Sequence, residues 1–477
     1  MQTATPFRWL AALVLWLGPL LAAHATHVLG GEITYKPVAS TTAGVPRYRV
    51  AVQLFRDAAG AMQNTVALTC SRGSCNASAP GSFTVTVPRL AATSTYSLGC
   101  TNFFLTTYQV LRFETDVDLP ADQWTLSVTE TNRQPNIVNL TNSINTSFYI
   151  STYLNNTLIA QNTSPTFLST LLPYITNSQA PRYSFSAFDS EGDSLAYQFI
   201  MPQQGLMPTA GCGAPATGAQ LVPHFQISAA TGALTTLAPG TQQGFYTVAV
   251  RVNEFRRLNG NWQQIGYVAR DVIYLASPLS ANQTPRFTAL RLNGATTTQP
   301  LGQTIRVQPG QAVTLALEAA DPDAGQALRF ESQAPGIIPG LSLQTTGATS
   351  AQLTWQVPAT LPPGRYTATV AVLDNGCPNA SEEYTFSFLV SNTVLATRTA
   401  ATATDVFPVP FREQVQFTTA PNQAVILVDA LGREVARLTS SATGLVRWQP
   451  AAALPAGLYL ARAAGTGQPL ARLLRAD

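Results

Sequence analysis

FYTVAVRV, residues 245–252, decides the fold class. Aromatic and β-branched side chains alternate with smaller or polar ones at a period of two. That spacing sends successive side chains to opposite faces of a strand. The pattern recurs in YRVAVQLFR (48–56) and RYTATVAVL (365–373), and Gly, Pro, Asn and Asp punctuate the intervals. One face of each run is expected in a core and the other in water. Helix-period stretches are nearly missing. The reading is an all-β chain of tandem Ig-like β-sandwich domains ending in a small β-sandwich.

Charged residues are 11% of the chain, so Thr, Ser, Asn and Ala must supply much of the surface. Ordinary soluble domains carry about 25%. The net charge of +3 contains no basic run, which argues against a nucleic-acid partner. Residues 1–25 read as a signal peptide: Arg8, an apolar run over 9–23, and a small-residue cleavage site ending at Ala25. The run is shorter than the about 20 residues of a spanning helix, and no later stretch is longer. The mature chain is therefore expected to be exported, without a transmembrane helix. Five cysteines suit an oxidising compartment. Cys70, Cys75 and Cys100 fall in one expected domain and are the disulfide candidates, with any pairing leaving one over. Cys212 and Cys377 lie in separate expected domains and could pair only if those domains dock.

An internal repeat sets the organisation. SPTF (164–167) and TPRF (284–287) each open a segment, AFDSEGDSLAY (187–197) and AADPDAGQALRF (319–330) follow, and each segment then reaches G-x-Y and an alternating strand. The expected parts are an N-terminal β domain at 26–160, Ig-like or cadherin-like sandwiches at 161–278 and 282–392, a linker at 396–404 and a last module at 405–477.

FPVPF (407–411), AVILVDALGREVARL (424–438), LPAGLYLARAAG (454–465) and the basic-apolar tip RLLR (472–475) occur in that order in the last module. Together they resemble the C-terminal sorting domain of type IX (Por) secretion in Bacteroidota, with Val409 where that family commonly has Asn and arginine for lysine at the tip. The resemblance assigns the sorting motif to Pro408, Pro410, Phe411, Asp429, Gly432, Arg433, Leu454, Pro455, Gly457, Tyr459, Arg472 and Arg475. It implies delivery through the periplasm to the outer surface or medium, with the type IX machinery as partner. THVLGGEITYK (26–36), YRVAVQLFRD (48–57), WTLSVTETNR (124–133) and FYISTYLNN (148–156) resemble an N-terminal domain of gliding-motility-associated surface proteins, with Ala58 where relatives often have Cys.

Catalytic motifs are missing. His27 and His224 are the only histidines of the mature chain, too few for a zinc site or for several Ser–His arrangements. Asp189, Glu191 and Asp193 alternate on a turn that resembles the A-x-D-x-D-G-D-x-L turn of cadherin-like domains. They are candidate Ca²⁺ ligands, with Glu254 or Asp271 to complete a shell of six to eight oxygens. Asp321 and Asp323 are the weaker counterpart in the next repeat. The functional expectation is a non-enzymatic adhesive or structural protein presenting loops to a glycan or protein. The alternative is an exported hydrolase with a carboxylate site in 26–160.

Overall fold

The computed structural model describes residues 28–73, 75–97, 107–176, 182–206, 212–222, 225–236, 242–277, 281–392, 406–429, 432–451 and 453–476. Ala25, His27, Cys100 and His224 lie outside them. Every regular element among the described residues is a strand, apart from single 3₁₀ turns at Ser143–Asn145 and Ala334–Gly336. The chain divides into two compact units, 1–392 and 393–477.

The opening stretch sits at the centre of the first unit, and it departs from the half-wet alternation expected of it. Strand Gly244–Leu258 and its partner Asn261–Ser277 form a long hairpin, in register from Gly244 opposite Ala276 to Leu258 opposite Asn261. Residues 245–250 are all buried, so both faces are covered. The cause is topological. The free edge of Asn261–Ser277 is shared in turn by Phe148–Asn155, Val28–Val38 and, in parallel, Tyr174–Thr176. A hairpin from the expected second domain thus completes the sheet of the expected first one. The boundary at 160/161 therefore does not separate two independent sandwiches: one sheet crosses it. Gly30 makes the join possible. Its φ is +155°, pairing of the first strand with Arg47–Asp57 shifts register there, and a Cβ would lie 2.3 Å from the Asp271 carbonyl oxygen. Only glycine tolerates that approach.

Residues 286–390 form a two-sheet sandwich. One sheet orders Arg286–Leu292, Ala312–Ala320, Ser350–Gln356 and Leu341–Gly347; the other orders Thr304–Val307, Ser381–Val390, Gly364–Leu373 and Arg329–Glu331. Inward alternation holds here: Val313, Leu315, Leu317, Leu353 and Trp355 meet Tyr366, Phe386 and Phe388 in one core. The second unit repeats the plan in miniature. A four-stranded sheet (Glu434–Thr439, Ala424–Val428, Gly457–Ala463, Pro469–Arg475) covers the pair Val415–Thr418 and Leu445–Trp448 around Phe411, Phe417, Leu427, Trp448 and Leu473.

The G-x-Y repeat has one physical meaning throughout. Tyr246, Tyr366 and Tyr459 are buried and each donates its hydroxyl to the carbonyl four residues back, of Gln242, Pro362 and Pro455, at 2.8, 2.8 and 2.6 Å. A buried ring thereby pins the loop that feeds its strand, as in the tyrosine corner of sandwich folds.

Candidate functional site

The turn 189–193 forms because Asp189 organises it. Its Oδ1 accepts the backbone N–H of Glu191 at 3.1 Å and of Asp193 at 2.8 Å, an Asx-type closure with Gly192 at φ +78°. The following strand, Ser194–Ile200, pairs with Gly244–Leu258 and sets Leu195 opposite Glu254. That pairing brings Asp189, Asp193 and Glu254 together: one oxygen of each lies within 4.8 Å of the others, and all three residues are buried. Glu191 turns elsewhere, accepting from Thr163 N–H at 3.2 Å and Ser190 Oγ at 2.7 Å. Asp271 is not part of the group. It is engaged by Arg133 and by Thr247 Oγ1 at 2.7 and 2.6 Å, a buried ion pair in its own right.

Two groups the sequence did not single out complete the cluster. Arg256 donates from Nε to Asp193 Oδ1 at 2.7 Å and from Nη2 to Asp193 Oδ2, and it reaches Asn162 Oδ1 at 2.8 Å. Asn162 in turn donates to Glu254 Oε1 at 2.9 Å. Asp189 Oδ2 and Glu254 Oε2 have no donor among the described residues. Three carboxyl groups and one guanidinium cannot all be ionised comfortably in so dry a place. Burial, then the charge of Asp193, pushes Asp189 up to about 7. Burial, then Asp189, pushes Glu254 well above the carboxylate range.

Part of this donor set suits calcium. The two donor-free oxygens and the Asn162 carbonyl are the hard ligands Ca²⁺ takes. Arg256, however, already neutralises Asp193, and it would have to release Asp193 and Asn162 before the oxygens could close around an ion. The residues fit a cation by exchange with Arg256.

The counterpart in the next sandwich is built differently. Asp321 Oδ1 accepts from Asp323 N–H at 2.7 Å, and Asp323 accepts from Gln283 N–H and Nε2 at 2.7 and 2.8 Å. These hydrogen bonds hold Asp323 below its ordinary value. No third carboxylate joins Asp321 and Asp323 in a cluster among the described residues.

The sorting-motif positions fall into three environments. Phe411 and Tyr459 are core, and Phe411 N–H donates to the Leu474 carbonyl at 2.8 Å. Asp429 accepts from Arg433 N–H and Nε at 2.9 and 2.7 Å, with Gly432 at φ +82° closing that turn. Pro410, Pro455 and Arg472 are exposed, Pro408 and Gly457 half-buried, and Arg475 donates to the carbonyls of Ala451 and Leu454.

The cysteines need a correction. Cys75 pairs with Cys212, across the expected boundary, because the sheet that crosses it docks the two segments. Cys377 is also disulfide-bonded. Cys70 is a free thiol in the core, where burial pushes it up to about 12. The candidate it represented is excluded by its position on the buried strand Thr65–Arg72.

No protein-family model matches this chain, and no curated protein matches it. Among solved structures it is similar to the protocadherin gamma B2 extracellular cadherin domains 1–5, at 14% identity over 82% of this chain and 73% of that one, with a TM-score of 0.16. It is similar to the N-terminal eight Ig domains of Down syndrome cell adhesion molecule, at 12% identity over 90% of this chain and 47% of that one (TM-score 0.17). It is also similar to Drosophila N-cadherin EC1–4, at 12% identity over 64% of this chain and 74% of that one (TM-score 0.18).

Proposed function

We propose that this chain is an exported surface or secreted protein of adhesive or structural role, whose last module is the address read by a type IX secretion machinery. The observation that carries the reading is the second unit, 393–477. It closes its own core around Phe411, Trp448 and Tyr459 and presents Pro410, Pro455 and Arg472 outward. A transporter needs a folded, self-contained element whose removal leaves the cargo intact, and this unit has that form. The first unit, with strand loops gathered at sandwich ends, is the cargo. Deleting residues 405–477 should leave the protein in the periplasm on fractionation; unchanged appearance at the surface or in the medium would sink the address reading.

A second reading concerns calcium. The donor-free oxygens of Asp189 and Glu254 favour Ca²⁺ at 189–193, stiffening the first unit as it leaves the cell. Bound at a hundredfold excess over its dissociation constant, an ion stabilises by about 2.7 kcal/mol. Melting in millimolar Ca²⁺ should then exceed melting in chelator by several degrees, and Asp189→Ala should erase the gap while Asp321→Ala keeps it. Identical curves with and without chelator dispose of the ion.

A further inference from the structure

A cleft of about 620 Å³ opens between the loop after Thr166–Phe167 and the outer face of the 286–390 sandwich, well within the about 300–1,000 Å³ of small-ligand sites. Its floor is a row across the sheet. Glu331 stands opposite Ala371, and Ala371 opposite Glu383, so two carboxyl side chains flank one small residue on the same face. Strand spacing sets their Cα atoms about 10 Å apart. Glu383 is fixed and buried: Ser184 N–H donates to it at 3.2 Å, and Ser169 Oγ donates to its other oxygen. Glu331 is more open and pairs with Arg329 at 3.0 Å.

The opposite wall is an ordered aromatic. Tyr96 lines the cleft and stacks on Tyr108, with centroids 4.9 Å apart and planes 11° apart. Its hydroxyl shares a hydrogen with Thr170 Oγ1 at 2.7 Å and accepts from Gln333 Nε2 at 2.7 Å. Gln333 Nε2 also donates to Thr170 Oγ1. Both amide hydrogens are thus spent, and no described residue donates to Gln333 Oε1.

We propose that this cleft binds a neutral saccharide, a chain of two to four sugar residues. The proposal names the ligand for the adhesive role above and rests on that reading. One ring surface offers a platform for the apolar face of a sugar. The acceptors Gln333 Oε1 and the Glu331 carboxylate suit hydroxyl donors, and the exposed Ser342 hydroxyl, which donates to the Thr354 carbonyl at 3.5 Å, adds a further acceptor. The lining holds no cationic side chain, so it offers an acidic ligand no partner. A purely apolar ligand would strand the polar groups of both walls, a cost of about 1–3 kcal/mol for each group left unpaired.

The purified full-length mature chain should be screened on cello-, xylo-, manno- and malto-oligosaccharides of two to four residues, followed by titration of any hit. Ser342→Trp fills the mouth at an exposed position, and Tyr96→Ala removes the platform. The expected result is a hit whose affinity falls about tenfold or more in both variants, with the melting temperature of Ser342→Trp unchanged. Should Tyr96→Ala fail to fold, Ser342→Trp alone decides. No neutral hit, hits confined to acidic glycans or peptides, or binding indifferent to Ser342→Trp would each overturn the proposal. Binding by purified protein does not depend on how the chain is exported, so this outcome and that of the 405–477 deletion are read separately.

Discussion

The turns at 189–193 and 321–325 hold corresponding places in the repeat, each led by an aspartate, and end in different electrostatic states. In both, the leading aspartate accepts the N–H two residues on, at 3.1 Å for Glu191 and 2.7 Å for Asp323, and Asp189 also accepts from Asp193 N–H at 2.8 Å. The first is then covered by the hairpin strand and by Pro362 and Tyr366 of the next sandwich, so its carboxyls lose water and crowd a third. In the second, burial also pushes Asp321 up and leaves its Oδ2 without a donor, but Asp323 stays accessible and Gln283 supplies it with two donors. Related turns therefore give a dry cluster of three carboxyls in one place and a two-carboxyl turn capped by Gln283 in the other. What differs is what the tertiary structure lays on top.

Removing Arg256 should break this contrast most sharply. Arg256→Met leaves Asp193, Asp189 and Glu254 with no cation, and stripping one partner from a buried pair costs about 3–5 kcal/mol. The side chain is 22% exposed, which points to the lower end. Gln283→Ala, its counterpart, should move a denaturant midpoint far less, since Asp323 can turn to water. Equal effects would mean the first cluster is as wet as the second.

The glycines give a middle-sized effect. Gly192 and Gly325 both hold left-handed φ, +78° and +84°, so either alanine costs about 1 kcal/mol of backbone strain. A Cβ at Gly192 would also meet Tyr366 Oη at 2.7 Å and Pro362 Cβ at 3.1 Å, whereas one at Gly325 meets nothing within 4 Å. Gly192→Ala should therefore lower thermal stability about twice as much as Gly325→Ala. Matching losses would show that the first turn is not clamped by its neighbour.

The last expected effect is in pH, and it is a difference of slopes. Asp189 is an acid whose folded value, about 7, lies above its unfolded one, so the native state binds more protons in between. Stability then falls as pH rises through the window from about 4 to about 7, by at most about 1.4 kcal/mol per pH unit for one group. Glu130 and Glu383, each pushed up to about 7 by burial, slope the same way. The informative quantity is thus the difference between wild type and Asp189→Asn, whose curve should be flatter from pH 5 to 7. Parallel curves would show that Asp189 stays ionised.

Part of the candidate cluster was legible in advance: Asp189, Glu191 and Asp193 were expected on one turn with Glu254 or Asp271 beside them, and the structure gathers Asp189, Asp193 and Glu254 but sends Glu191 and Asp271 elsewhere. Arg256 and Asn162 were not legible. Each is an ordinary polar residue with no pattern of its own, brought to the site by strand register and by the segment that opens the repeat. The cysteines teach the same lesson: a pairing between Cys75 and Cys212 depends on sheet closure across a sequence separation of 137, which spacing does not encode.

The sequence alone determined the all-β class and the recurrence of G-x-Y before alternating strands, because period-two alternation and turn residues act locally. Only the tertiary structure decided that the hairpin at 244–277 crosses an expected boundary, which carboxyls lose their water, and where the cleft opens. Those follow from which edges pair and which faces are covered, and burial of a charge or an edge is a property of the neighbours it meets rather than of the segment that carries it.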